Sequence, residues 1–408
     1  MAMSPRNIRS AGPGTGPIMT GPIMTGLSGH EMYCLNLKGF TPGEMIIGNS
    51  VYSLGFIGSI GAGLQVVFGG EVSQVTSVIA DGRRQSQDRL VQEAHRHGAD
   101  GITGVTSELR TLQGNTEFLS VASAIRHTGD KAGTTMFSTS VNGQELYCLM
   151  DAGYEPRQFV FGNVAYSVGL VGGLLGTLKT LARGEIKEFS DIFNRTRHLA
   201  LDRIASEAAG CGANAVVGIE TRIMPFAGTH EMLMTGTAAV HPALPAPEAG
   251  APVTSDLTCE EMWNLAALGF MPLKLVLGTA VYSLGFVGGV KALFKSFVRG
   301  EISDLTSLVY DAREHAIGLL RDEAAAIGAD DVVGIKTHIH DVGGVIEFMA
   351  IGTAVKRIPG AKPLSDMLPV QAIIKDRRTW FSHTDIFSQQ AGNHSDAGHG
   401  DGGGSGGE

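Results

Sequence analysis

Between Glu301 and Ile327 the apolar positions fall at Ile302, Leu305, Leu308, Val309, Ala312, Ala316, Leu319, Leu320, Ala324 and Ile327. That spacing follows the 3.6-residue period of an amphipathic helix. Such a helix is about 40 Å long at a rise of about 1.5 Å per residue, and Gly328 stands where a left-handed residue closes it. Beyond the helix the pattern changes. Asp331–His338 and Val345–Val355 are β-like and meet around Gly343–Gly344, which predicts a hairpin. Two further β-like stretches precede the helix, near Glu261–Leu265 and at Leu273–Ser283. The segment therefore predicts ββαββ: an antiparallel sheet, α+β in class, with one long helix across it. A sheet this small leaves an edge or a face uncovered, and self-association is one way to close it.

The pattern occurs three times. Sliding the sequence so that Tyr52 falls on Tyr166 and on Tyr282 brings Glu31–Arg126, Glu145–Val240 and Glu261–Lys356 into register without a gap. VYSLGFIG, AYSVGLVG and VYSLGFVG carry the match. So do Gly48/Gly162/Gly278, Gly70/Gly184/Gly300, Glu71/Glu185/Glu301, Arg83/Arg197/Arg313, Glu93/Glu207/Glu323, Gly98/Gly212/Gly328 and Glu117/Glu231/Glu347. Units of this length exceed a solenoid repeat of about 20–45 residues, so we expect three tandem domains at 31–128, 144–241 and 260–358. A Gly/Pro-rich arm over 1–30 and a Gly/His/Asp-rich tail over 388–408 are expected to be disordered. The Pro-rich linker His241–Asp256 should be extended.

Composition leaves one question open. Glycine, 57 of 408 residues, is at twice its usual share of about 7%, and charged residues are only 17%. Met45–Gly70 and Gln158–Leu178 carry no charge and are long enough to span a bilayer. Their counterpart Leu275–Val290 is shorter and followed by Lys291 and Lys295. Homologous units share one environment, so a buried strand entering a Gly-rich turn is the better expectation. A formal net charge of -9 argues against nucleic acid as a partner. The first thirty residues lack a basic start followed by an apolar run, so no secretory signal is expected. Cys34, Cys148, Cys211 and Cys259 form no C-x-x-C pair, which suits a reducing cytoplasm rather than a disulfide framework. Cys34 and Cys148 are equivalent, with Asn264 in the third copy.

Gly300–Lys336, GEISDLTSLVYDAREHAIGLLRDEAAAIGADDVVGIK, followed by EFMAIGTAVKR at Glu347–Arg357, resembles the YbjQ-like family. Its most specific part is the helix end E-A-x-x-x-G-A-[DN], with weaker matches in repeats 1 and 2. The resemblance implies a dodecin-like small α/β subunit that assembles into pentameric rings, and a heavy-metal association. The Thr-rich first strand of single-domain members is absent here, and the loop after the second strand is richer in glycine. Three domains per chain do not fill one five-fold ring with whole chains. Five chains would make three stacked rings, and two chains a pseudo-six-fold ring.

Metal binding needs several imidazole, thiolate or carboxylate groups at one point. His338 and His340 sit two apart on a predicted strand and so share a face, with Asp341 following. His95 and His97 point about 200° apart on a helix and do not chelate one ion. In the tail, His383, His394 and His399 pair with Asp385, Asp396 and Asp401 as a loose metal-holding tract. The resemblance adds the threefold Glu93, Glu207 and Glu323. Arg83/Arg197/Arg313 and Glu117/Glu231/Glu347 read as ion pairs within or between subunits. Leu54–Gly58 and its copies cluster backbone amides, a possible anion site better explained as a tight turn. No G-x-S-x-G, H-E-x-x-H or Walker motif occurs. The expectation is a non-enzymatic, self-assembling cytoplasmic homo-oligomer that binds a divalent or heavy metal ion or a small ligand at domain interfaces. The alternative is a membrane- or partner-associated scaffold using the Gly-rich stretches and flexible arms.

Overall fold

A computed structural model describes residues 21–53, 70–113, 115–129, 135–167, 184–226, 229–246, 251–283, 303–341 and 345–369. The tail histidines, most of the uncharged Gly-rich stretches and the expected anion site lie outside these residues. So do residues 1–20 of the arm and the whole 388–408 tail. Among the described residues no helix is long and apolar enough to cross a membrane.

Each repeat opens with a short helix: α1 (Gly29–Leu37), α3 (Gly143–Asp151) and α5 (Cys259–Ala267). Here one expectation is corrected, because Glu261–Leu265 is helical rather than a strand. Thr258 accepts from the Glu261 amide while the Glu261 carboxylate accepts from the Thr258 amide. Ser28 with Glu31 and Asn142 with Glu145 make the same reciprocal cap. A cap of this kind satisfies two otherwise orphaned amides and outweighs the β-like look of five residues.

A long strand follows: β1 (Phe40–Ser53), β6 (Glu155–Ser167) and β11 (Phe270–Ser283). The long helices are α2 (Ser73–Arg96), α4 (Lys187–Gly210) and α6 (Ser303–Ala326). Each is followed by a hairpin: β3 (Gly101–Leu112) with β4 (Asn115–His127), β8 (Ala215–Phe226) with β9 (Thr229–Val240), and β12 (Asp331–Asp341) with β13 (Val345–Arg357). Gly104, Gly218 and Gly334, at φ +70°, +62° and +65°, supply the left-handed residue where the register of each hairpin shifts.

Four two-residue strands tie the domains together. β2 (Gly70–Glu71) and β7 (Gly184–Glu185) stand in the ββαββ order just before their helices, but each pairs with the sheet of the next repeat. β5 (Phe137–Ser138) and β10 (Val253–Thr254) come from the linkers and pair in parallel with β3 and β8. The strand orders are β1-β4-β3-β5, β10-β8-β9-β6-β2 and β12-β13-β11-β7. The Pro-rich linker is thus partly a sheet edge rather than only a spacer. Residues 21–28, within the Gly/Pro-rich arm, also touch the first sheet, where the Met45 amide donates to the Met24 carbonyl at 2.7 Å.

Strand β6 shows why this arrangement is compact. Alternate side chains point to opposite faces. Val160, Val164 and Tyr166 pack with Phe193, Ala200 and Ile204 of α4. Phe159 and Phe161 pack with Ala80 and Ile102 of repeat 1. The strand is therefore buried on both faces, which accounts for its nearly charge-free sequence. The short helices meet in a further core with Leu35, Cys148, Met262 and Trp263. There Asp151 accepts from Lys38 Nζ of repeat 1 at 2.6 Å and from Trp263 Nε1 of repeat 3 at 2.9 Å.

Candidate functional site at the joints between domains

The threefold arginines and glutamates meet across the repeats. Arg83 of α2 donates Nη2 and Nε to the two carboxylate oxygens of Glu231 on β9, at 2.7 and 3.2 Å, and Nη1 to Ser107 Oγ at 2.9 Å. Arg197 of α4 holds Glu347 on β13 with Nη2 at 2.8 Å and Nε at 3.1 Å, and donates to Tyr166 Oη at 2.8 Å. All four paired side chains are fully buried. Burial works against the Arg197 charge, yet Glu347 and Tyr166 more than offset it and hold the guanidinium firmly protonated. The Arg197 guanidinium also lies 4.3 Å from the Tyr166 ring centroid. Two fork-to-fork pairs in one direction, Arg of one repeat to Glu of the next, define a joint with a fixed polarity.

Backbone bonds repeat the same polarity. The Val72 amide donates to the Ala165 carbonyl at 2.8 Å, and the Ala165 amide donates to Thr76 Oγ1 at 2.9 Å. One joint further on, the Ile186 amide donates to the Val281 carbonyl at 2.8 Å, and the Val281 amide to Ser190 Oγ at 2.9 Å. The starts of α2 and α4 thus seal the outer edge of the next repeat's first strand.

The glutamates considered for metal have structural partners in the same region. Glu93, Glu207 and Glu323 accept the edge-strand amides of Ile47, Phe161 and Leu277 at 2.8, 2.8 and 3.1 Å. Each serves its own domain, and the three are not brought together. Burial raises Glu207 above the ordinary carboxylate value. Burial would raise Glu323 too, but hydrogen bonds from His198 and Lys274 outweigh it and hold this carboxyl at about 2. The Lys274 bond is 2.7 Å and lies within repeat 3, whereas His198 reaches over from α4 of repeat 2 at 3.4 Å.

His338 and His340 share one face of β12 with their rings nearly parallel and their centroids 6.3 Å apart. Both are half-buried. Burial lowers both, His338 to about 4, and Nε2 of His340 finds no hydrogen-bond partner among the described residues. Asp341 ends the strand. Among the described residues no three His, Cys, Asp or Glu side chains converge on a point. Burial raises the thiols of Cys34, Cys148 (to about 12) and Cys259, so they are protonated and poor metal ligands at neutral pH. The donor set for an ion is therefore two neutral imidazoles, fewer than the three or four of an ordinary zinc site.

The imidazoles set a pH dependence. Burial lowers His230, His241, His338 and His340, so the folded chain keeps them neutral where the unfolded chain protonates them. Their contribution is complete above the unfolded value of about 6.5 and is lost as pH falls toward the lowered folded values. His198 acts oppositely: Glu323 raises it, so its contribution is full below about 6.5 and lost as pH rises through the raised value. Glu207 and Asp256, raised by burial, also act oppositely, but four lowered imidazoles outweigh these three groups, so the urea midpoint should fall between about pH 7 and about pH 4.5. A flat or rising profile over that window contradicts this.

Sequence reading reached the Arg and Glu triples but not their connection across repeats. Their signal was retention at matched positions in all three copies without a common metal or catalytic pattern. A family model described as "YbjQ_1: Putative heavy-metal-binding" matches the chain at residues 41–127, 153–241 and 271–357. The "Encapsulin nanocompartment protein Rv1762c" of Mycobacterium tuberculosis is 33% identical over 224 residues, 52% of this chain and 83% of that protein. A "UPF0145 protein" of Methanoregula boonei is 40% identical over 83 residues, 20% of this chain and 69% of its own length. Another, from Thermosipho africanus, is 40% identical over 85 residues, 21% of this chain and 79% of its own length.

Proposed function

The chain belongs to the YbjQ-like family in three tandem copies, and on that premise we propose that it is a non-enzymatic scaffold that self-assembles through its domain joints. One observation carries the reading. Met45, Ile47 and Val51 of β1 are 46%, 45% and 51% exposed, while their counterparts Phe159, Phe161 and Ala165, and Leu275, Leu277 and Val281, are at most 3% exposed. An apolar strand face that is core in two repeats and open in the third is an interface in want of a partner. The M. tuberculosis relative, named for a nanocompartment, supports assembly as the theme. Of the assemblies open to three domains per chain, a ring of consecutive repeats uses this lateral joint directly, whereas three stacked rings would set each repeat beside its own kind. Light scattering on the full chain tests the reading. It predicts a mass that is a multiple of the 42.7 kDa chain, and a single-chain mass at micromolar concentration would overturn it.

A second element concerns metal. We place ion binding, if the family description extends to this chain, at His338 and His340, the neutral imidazoles on one face of β12. Zinc titration by calorimetry should show one site lost in the His338→Ala/His340→Ala double variant. An unchanged stoichiometry in that variant contradicts the placement. A cytoplasmic location fits four cysteines that form no disulfide among the described residues.

A further inference from the structure

We infer that a second copy of this chain lays its helix α6 against the open edge of β1, remaking between chains the joint that links repeat 1 to repeat 2 and repeat 2 to repeat 3. The inference rests on the self-assembly reading above and specifies which surfaces meet.

The chain has two unlike ends, and each is half of a joint. On α2 and α4 the positions turned to the next repeat are Thr76/Ser190, Ala80/Asn194 and Arg83/Arg197, all buried except the half-buried Asn194. Their counterparts on α6, Thr306, Tyr310 and Arg313, are exposed, Tyr310 by 64%. No ion pair engages Arg313 among the described residues. At the other end, Glu117 stands where Glu231 and Glu347 are fully buried, but is only half-buried and takes a 3.1 Å hydrogen bond from Asn49 Nδ2. Val51 holds the place of Ala165 and Val281. Among the described residues no helix hydroxyl reaches it, and Tyr52–Ser53 lack the two-residue strand that pairs with Tyr166–Ser167 and with Tyr282–Ser283. Arg313 and Thr306 of one chain thus stand opposite Glu117 and Val51 of another as Arg83/Arg197 and Thr76/Ser190 stand opposite their partners at the inner joints, with Tyr310 in the place of Ala80 and Asn194.

The charges at the ends differ from those inside in a complementary way. At the inner joints the helix presents Arg84, 5.7 Å from the Phe161 ring and acting on Glu207, and His198, bonded to Glu323. The outer helix carries Glu314 at that position. The receiving groove on repeat 1, of about 370 Å³, is lined by Ile47, Gly48, Asn49, Arg89, Glu93 and Arg96. Arg96 stands where Gly210 and Ala326 occupy the inner grooves. Glu314 therefore meets Glu93, the counterpart of Glu207 and Glu323, together with Arg89 and Arg96, in a groove of net positive charge where a helix bearing Arg84 would add to the excess. This favours end-to-end docking over a chain inserting elsewhere, and specificity of this kind comes as much from the disfavoured pairings as from the favoured one. A head-to-tail contact is heterologous: it closes into a ring if the rotation per chain permits and otherwise grows as a filament.

The test is a charge exchange in the full chain. Arg313→Glu, Glu117→Arg and the double variant are compared with the unmodified protein by light scattering over a dilution series, with circular dichroism to verify folding. Arg313 is exposed, and Glu117 is half-buried with a single hydrogen bond from Asn49, so all four proteins should fold alike. Each single change should raise the apparent dissociation constant at least about thirtyfold, and the double variant should return to within about tenfold of the original. Single variants that assemble as tightly as the unmodified chain would overturn this joint while leaving self-assembly intact. Weakened singles without recovery in the double would show that Arg313 and Glu117 do not meet, and also overturn it. An unmodified chain that scatters as one molecule would instead sink the self-assembly reading beneath it.

Discussion

Replacing Glu347 with Gln is expected to lower the unfolding free energy of the repeat 2–repeat 3 unit by about 3–5 kcal/mol, read from urea denaturation followed by fluorescence and circular dichroism. Among the described residues the change removes the only carboxylate bonded to Arg197, whose guanidinium is fully buried and whose Nη1 already lacks a hydrogen-bond partner there. A buried charge left without its counter-charge cannot recover its hydration, and the Tyr166 hydroxyl, a neutral acceptor, makes up little of the loss. The exposed pair Arg222–Glu220, at 2.9 Å, is the control. Glu220→Gln should cost less than about 1 kcal/mol, because solvent screens that pair. Replacing both partners, as Arg197→Met with Glu347→Leu, should recover much of the loss, since apolar substitution of a whole buried pair is often close to neutral. An Glu347→Gln cost no larger than that of Glu220→Gln would show that the joint is not held as described.

Gly278→Ala should be nearly as damaging. A Cβ at that position would lie 2.5 Å from the Ala316 carbonyl oxygen and 2.6 Å from Leu319 Cβ on α6. The equivalent Gly48 and Gly162 meet the carbonyls of Ser86 and Ala200 in the same way. The obstacle is helix backbone, so relief requires the helix to move off the sheet. We expect about 3 kcal/mol, the upper part of the usual overpacking range. Gly318, on α6 itself, has nothing within 4 Å of an added Cβ. Gly318→Ala should stabilise the chain by about 0.5–1 kcal/mol through helix propensity. Thermal melts of the two variants should therefore move in opposite directions, and a common direction would contradict the close approach of helix and sheet.

These two sites show what was readable from the chain alone. The long helices were readable because ten apolar positions keep one period over many turns, and α6 ends at Ala326, within a residue of the expected boundary. The repeat 3 hairpin was readable from two β-like stretches flanking Gly343–Gly344, which lie outside the described residues. Gly48, Gly162 and Gly278 were visible as an identical triple, although their reason, a helix carbonyl at the Cβ position, is a tertiary fact. Short elements were harder to read. Met262, Trp263 and Leu265 look strand-like in so brief a window, and only the Thr258–Glu261 cap distinguishes the helix. β2, β5, β7 and β10 are two residues each, set by partners in other parts of the chain rather than by local preference. The Arg and Glu triples were found, but identical residues in every copy do not reveal that each Arg belongs to the Glu of the following repeat. That depends on how whole domains dock. Of the metal-oriented residues, Glu93, Glu207 and Glu323 followed the family resemblance, and all three accept strand amides.

In the assembly proposed, the first strand of every repeat has its outer edge covered by the helix of a preceding one, with repeat 1 covered by another chain. Hydrogen exchange across peptides containing Ile47–Ser53, Phe161–Ser167 and Leu277–Ser283 tests it most directly. Comparable protection of Val51, Ala165 and Val281 is expected in the unmodified protein, with protection of Val51 alone lost in Arg313→Glu. Rapid exchange at Val51 in the unmodified protein, while Ala165 and Val281 stay protected, would contradict it.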